Sequence, residues 1–196
     1  MKIKVATLIA SLLLSSNLFA NEQKKDNTEE IIKIGREVSD ELFKVMGGEL
    51  KKQLADNNFS KAGHFCSMNA MSMTADVNKK YGSNATVKRV SLKNRNPQNR
   101  PADEIEITVL EVYEKLNAQK IELPEIVKKV DENRYKYFKP IKAGMDMCFK
   151  CHGDSKTLDK EAYSNIYKIY PEDKAINHKM GDVRGAFVID IIKGAK

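Results

Sequence analysis

The chain is poor in the residues that build metal cages and disulfide frameworks. It has three cysteines and three histidines among 196 residues. Six scattered side chains do not close a four-ligand structural zinc site. An odd number of cysteines cannot all pair within one chain. Past the first residues there is no apolar run of membrane length, which excludes a further transmembrane helix. There is also no block of like charge, although the formal charge is +7. Nothing therefore reads as a nucleic-acid or membrane footprint. No internal repeat and no low-complexity segment is found, which excludes solenoids and arrays.

The scarce residues that are present fall together. Cys148-Phe149-Lys150-Cys151-His152 reads C-x-x-C-H, the attachment signature for c-type haem. Each thiol adds across one vinyl group of the porphyrin. Two intervening residues bring both sulfurs to the vinyls from one turn of chain. The next residue then carries its imidazole under the iron. A thioredoxin-like dithiol is the main alternative, but it leaves His152 without a role. The motif therefore predicts one covalent haem c, with Cys148 and Cys151 as the attachment points and His152 as the proximal iron ligand.

The N-terminus points to the compartment where that chemistry is done. Lys2 and Lys4 form a positive start, Val5 to Leu14 a short apolar run, and Ser15, Ser16 and Ala20 a small-residue region. This is the pattern of a signal peptide over 1–20, cleaved after Ala20; an uncleaved N-terminal anchor is the alternative. No cysteine lies near the junction, so a bacterial lipid anchor is not expected. Export to the periplasm agrees with the haem, because thioether attachment takes place outside the cytoplasm in bacteria. The remainder reads as a polar, mobile stretch over 21–28 and one domain over 29–196. It is mildly basic, with no membrane span after cleavage.

Periodicity predicts helices over 28–55 and 59–80. The first carries Ile31, Ile34, Val38, Leu42 and Val45 at helical spacing and is weakened at Gly47-Gly48. The second carries the stripe Phe59, Ala62, Cys66, Ala70, Met73 and Val77. A strand over 87–92 and an irregular loop over 93–101 follow. Residues 103–118 fit a strand or a helix, and their glutamates favour the helix. Strands are expected over 125–130 and 134–141, with Pro140 at an edge or a strand end. A helix over 157–169 and a strong strand over 185–192 complete the chain. This sum is α+β: N-terminal helices, then a small antiparallel sheet with flanking helices.

The distal side of the iron is the informative unknown, because it sets the potential and decides whether small molecules bind. Cys66 is the odd thiol, unpaired in an oxidising compartment, and ferric iron would stabilise its thiolate; as a structural residue it would be a small buried hydrophobe. His64 lies two residues away, about 200° around the helix, so it and Cys66 cannot both face the iron. Its other role is a surface histidine. Met73 shares the stripe with Cys66 and is a rival ligand. Met145 and Met147 lie too close to the motif to reach the opposite face. His178, in a polar stretch between turns, is expected to face solvent. An open distal site is the remaining alternative.

Read in order, Cys66, the segment Arg89-Val-Ser-Leu-Lys-Asn-Arg-Asn-Pro-Gln-Asn-Arg-Pro101, Tyr137-Phe-Lys-Pro-Ile141, Cys148-Phe-Lys-Cys-His-Gly153, Tyr170-Pro-Glu-Asp-Lys-Ala175 and Gly181-Asp-Val-Arg-Gly-Ala186 resemble the haem-c-binding PAS-like domain family. These are single-haem periplasmic or extracytoplasmic domains, some standing alone and others serving as sensing parts of membrane receptors. The resemblance implies a PAS-like α+β fold with N-terminal helices. It also implies a Cys/His axial pair, with the helical cysteine at Cys66. His178 departs from the family pattern, which has a non-ionisable residue there.

Three functions follow as expectations. The first is electron transfer or redox response with a separate redox partner protein. The second is a redox or gas sensor module working through a sensor partner, with release of Cys66 opening the iron. The third is an enzyme such as a peroxidase, which wants an open distal face with a base; His64 is the only nearby candidate, and no enzyme activity is expected. Arg95 and Asn99, in the Arg-Asn-Pro-x-Asn loop, are second-rank candidates for hydrogen bonds to the haem edge or propionates; the alternative for them is a self-contained turn.

Overall fold

The computed structural model describes the backbone of residues 4–194 and the side chains of residues 28–194. The expected leader, 1–20, and the polar stretch 21–28 lie outside the residues with described side chains, apart from Thr28. In chain order the elements are α1 (Lys4–Gln53), α2 (Phe59–Tyr81), β1 (Ala85–Val90), α3 (Glu104–Ala118), β2 (Ile126–Lys129), β3 (Arg134–Lys142), α4 (Phe149–His152), α5 (Lys160–Ile169) and β4 (Val183–Ile192). Among the described residues no helix is long and apolar enough to cross a membrane.

The strands form one antiparallel sheet in the order β1-β4-β3-β2. The last strand in sequence thus lies inside the sheet, and alternate residues of it serve opposite faces. Phe187, Ile189 and Ile191, with Val87 of β1 and Tyr135 and Tyr137 of β3, bury Ile31, Val38 and Leu42 of α1 and Val77 of α2. Ala186 and Val188, with Val90 and Phe138, turn the other way under Val109, Leu110 and Tyr113 of α3. Helices therefore cover both faces, and the α+β architecture is the one expected. A Cβ at Gly35 would fall on the Tyr137 ring, so α1 lies on the sheet at a distance only glycine allows.

Side-chain caps explain most helix starts. Asn58 Oδ1 accepts from Lys61 N at 2.8 Å and opens α2. Asp103 Oδ1 accepts from Glu106 N at 2.9 Å, and Glu106 Oε2 accepts from Ala102 N at 2.9 Å. This reciprocal capping makes the ambiguous 103–118 segment a helix. Asp159 Oδ1 accepts from Ala162 N at 2.8 Å and opens α5. The turn before it, where Thr157 N and Leu158 N both donate to Asp154 O, delays that helix past the expected residue 157.

One further boundary differs from expectation, while α1 ends close to the expected residue. α1 runs through Gly47-Gly48, where an added Cβ would meet nothing within 4 Å. The glycines cost the helix only their propensity, about 1 kcal/mol each, and the buried stripe upstream holds it. β1 ends at Val90 rather than 92, because Ser91 N donates to Asn99 O at 3.0 Å and leaves the sheet. Pro140 lies past the last pair of β2, flanked by β4 alone, so it takes the edge position, one of the two expected.

The α3 face also holds charge. Lys136 Nζ of β3 meets Glu106 Oε1 at 2.7 Å, Asp103 Oδ2 at 3.1 Å and Asp190 Oδ1 at 3.1 Å. Lys88 Nζ joins Glu106 Oε1 at 2.8 Å. Burial alone would lower the lysine, but its carboxylate partners hold it well above the ordinary value. Glu106 is likewise opposed by burial, yet Lys136, Lys88 and the Ala102 N–H bring it below the usual carboxylate range.

Candidate functional site

The C-x-x-C-H motif occupies the connection between β3 and α5. A 3-10 turn at Asp146–Cys148 runs straight into the single turn of α4, so Cys148, Cys151 and His152 issue from one compact stretch of chain. Gly153 N donates to Phe149 O at 2.9 Å and closes it. A Cβ at Gly153 would strike Thr157 Oγ1 and the Phe149 carbonyl, so only glycine ends the motif this way. Cys66, Cys148 and Cys151 are all half-buried free thiols.

His152 is held by its ring. Its Nδ1 lies 2.7 Å from Ala175 O. A carbonyl oxygen only accepts, so Nδ1 is the N–H and Nε2 carries the lone pair. Burial, then Arg184 and Arg95, push its pKa well below the ordinary histidine value. The imidazole is neutral and presents Nε2, as a metal ligand must.

Ala175 is itself positioned. Its N–H donates to Asp173 Oδ1 at 2.8 Å, and Asp173 Oδ2 accepts from Arg95 Nε at 2.9 Å. Arg95 Nη2 also donates to Cys151 O at 2.6 Å. The loop over 93–101 therefore reaches the motif through Arg95, with the Asp173 side chain fully buried beneath it. Asn99 does something else: its backbone N–H donates to Asn96 O and its carbonyl accepts from Ser91 N, each at 3.0 Å. It closes the loop on itself and on the end of β1.

The 175–178 segment is laced onto the motif by its backbone. His178 N donates to His152 O at 2.9 Å and Asn177 N to Gly153 O at 2.8 Å. This overturns the expectation for His178, which is 4% exposed rather than solvent-facing. Its ring stands edge-on to that of His152, centroids 6.3 Å apart, and neither ring nitrogen has a hydrogen-bond partner. Burial first, then Arg184 and Lys93, lower it to about 4. Exposed neighbours Asn177 and Lys179 hid this in the sequence.

The opposite wall is α2. It packs on α5 where a Cβ at Gly63 would come 3.1 Å from Ile166 Cδ1, and Tyr170 Oη donates to Ser67 O at 2.9 Å. Cys66 is thereby turned inward and half-buried, while His64 is exposed, as their rotational offset requires. Burial raises the Cys66 thiol, opposed by Arg89 and Arg95. Burial raises Cys151 to about 11, with Arg95 opposing and Cys66, Asp159 and Cys148 adding. The thiols thus lie within electrostatic reach of one another. Among the methionines, Met68 and Met145 are largely exposed. Among the described residues no three His, Cys, Asp or Glu side chains gather as a cage for a bare metal ion.

One family model matches nearly the whole chain. The model described as Tll0287-like covers residues 6–191. The chain belongs to the Tll0287-like family. Among solved structures it is similar to the one titled "Crystal structure of the cyanobacterial heme-protein Tll0287", with a TM-score of 0.63 and 21% identity over 86% of this chain and 98% of that one. At that identity the likeness carries the Tll0287-like fold alone. No curated protein matches the chain.

Sequence reasoning named Cys66, Cys148, Cys151, His152 and Arg95, and the fold gathers these five around one place. Asp173, Ala175, Arg89 and Arg184 were missed as site residues. The signal for Arg184 was available, since it is an arginine within the otherwise apolar run Val183–Ile189; Arg89 lies beside Lys88 in β1 and does not stand out in the same way.

Proposed function

We propose that this protein is an exported monohaem c-type cytochrome of the periplasm, acting in electron transfer or redox response with a separate partner protein. The observation that carries the reading is His152. It follows two thiols on one turn, and its Nδ1–H is committed to Ala175 O at 2.7 Å, which leaves Nε2 as a lone-pair donor. Cys148 and Cys151 would form the thioethers, His152 would be the proximal ligand, and Cys66 the distal one. The haem supplies a one-electron couple. The residues fit it in a second way, through buried polar atoms without partners, Arg89 Nε and the ring nitrogens of His178, which a group carrying carboxylates would supply with acceptors.

The chain's own contribution is orientation and charge. Arg95, Asp173 and Ala175 fix the His152 ring. A thiolate from Cys66 would donate strongly and favour the ferric state, which gives a low potential. His64, exposed on α2, is turned away from the position of a distal base, which supports electron exchange over peroxide chemistry.

Absorption and EPR spectra of the ferric holoprotein, wild type beside Cys66→Ala, test the axial pair. Thiolate-type low-spin signals in the wild type, lost in the variant, are expected. Identical spectra would remove Cys66 from the iron. N-terminal sequencing of the protein recovered from the periplasm tests cleavage after Ala20.

A further inference from the structure

Arg89 and Arg184 bring positive charge to the site that no carboxylate among the described residues balances. They stand on paired strands at one end of the sheet: Val90 pairs with Ala186, with Arg89 just before the first and Arg184 two residues before the second. Arg89 Nε is buried with no hydrogen-bond partner. Arg184 Nη1 reaches only neutral oxygens, Ser91 Oγ at 3.4 Å and Lys93 O at 3.3 Å. The fully buried carboxylate nearby, Asp173, is committed to Arg95 at 2.9 Å. His178, 4% exposed, adds ring nitrogens without partners. Burial lowers both arginines, Arg184 to about 9, with Arg95 and Arg89 repelling it further. Buried cations left without an anion are strongly disfavoured.

We propose that Arg89, Arg184 and His178 form a carboxylate-binding pocket that takes the haem propionates. The proposal rests on the haem reading above. A guanidinium fork matches a carboxylate with two parallel donors, and an imidazole offers an N–H. Neither guanidinium has a carboxylate among the described residues in an ion pair, and two of them suit two carboxylates. Their positive charge beside the iron favours the reduced state and so opposes the pull of a Cys66 thiolate.

The test uses the holoprotein, made with a haem-attachment system, as wild type, Arg184→Gln, Arg184→Lys, Arg89→Gln and His178→Phe. A haem-stained denaturing gel comes first. Wild type without covalent haem would overturn the haem reading itself, and this proposal with it. With haem attached, the remaining measurements bear on the pocket alone. Arg184→Gln and Arg89→Gln are expected to lower the midpoint potential and to shift the propionate bending bands in resonance Raman spectra. Arg184→Lys, which keeps the charge, is expected to retain most of the potential, and it serves if a Gln variant does not fold. His178→Phe is expected to shift the propionate bands. Gln variants that keep wild-type potential and bands would overturn the pocket. So would succinate added to the wild type, if it shifts the potential as Arg184→Gln does while the bands stay unchanged, because the pocket would then take a free anion.

Discussion

Lys136 and Arg184 are cations on adjacent strands of the same sheet, and their surroundings differ completely. Lys136 meets Glu106, Asp103 and Asp190, the nearest at 2.7 Å, and is held well above its ordinary pKa. Arg184 finds a hydroxyl and a carbonyl at 3.3–3.4 Å and is pushed down to about 9. The body of the sheet, between α1 and α3, balances its own charge. The end that faces the C-x-x-C-H motif leaves positive charge without a counterpart. The first region is finished as protein; the second has the donor pattern of a site completed by an anionic group.

The comparison breaks most visibly at the motif. Replacing Cys148 and Cys151 together by serine is expected to abolish covalent haem, read on a haem-stained gel, while far-UV circular dichroism keeps the sheet signal. Retained covalent haem would place attachment elsewhere. Next in size, Lys136→Met leaves Glu106 buried beside Lys88 alone and is expected to cost about 3–5 kcal/mol in urea unfolding. Adding Glu106→Leu should recover most of that loss, and a single variant as stable as wild type would show that the body does not depend on this network. Leu42→Ala, which empties part of the α1 face without touching charge, is expected to cost about 2–4 kcal/mol. His64→Ala on exposed α2 should stay within about 0.5 kcal/mol.

One further effect is graded by pH. Glu106 and Asp103 both titrate below their ordinary values of 4.5 and 3.8 in the fold, burial being outweighed by Lys136 and backbone N–H groups. A carboxyl lowered in the fold gives stability that is full above its unfolded pKa and is lost as pH falls through the folded one. Thermal melts should therefore hold steady down to about pH 5 and fall below it, by several degrees. The Lys136→Met, Glu106→Leu pair should flatten that fall. An unchanged acid limb would assign it to other carboxylates.

Much of this was legible from local pattern. The apolar stripes of α1 and α2 and the alternation in β4 report which face is buried, and that follows from period alone. The motif residues were legible because the attachment chemistry proposed for them demands fixed spacing. Asn99 and Arg95 show the limit. Both sit in one loop with similar polarity, yet Arg95 reaches Cys151 and Asp173 while Asn99 closes the loop. Which does which depends on residues 56 and 78 positions away, and no local pattern carries that. His178 was misplaced for the same reason, since two backbone hydrogen bonds to the motif draw it inward.

The chain leaves the motif at Gly153, runs through α5, and comes back to the motif at Asn177 and His178. The whole excursion is a staple with both feet in one place, and its crown is pressed against α2 at Gly63. Cys66 and the motif are thus ends of one short, stiff span rather than parts of two bodies on a hinge. If Cys66 is the distal ligand proposed above, its release would be a rotation about a single χ1 angle, fast and local, with no helix required to swing. Any message passed to a partner would have to leave through what touches that side chain.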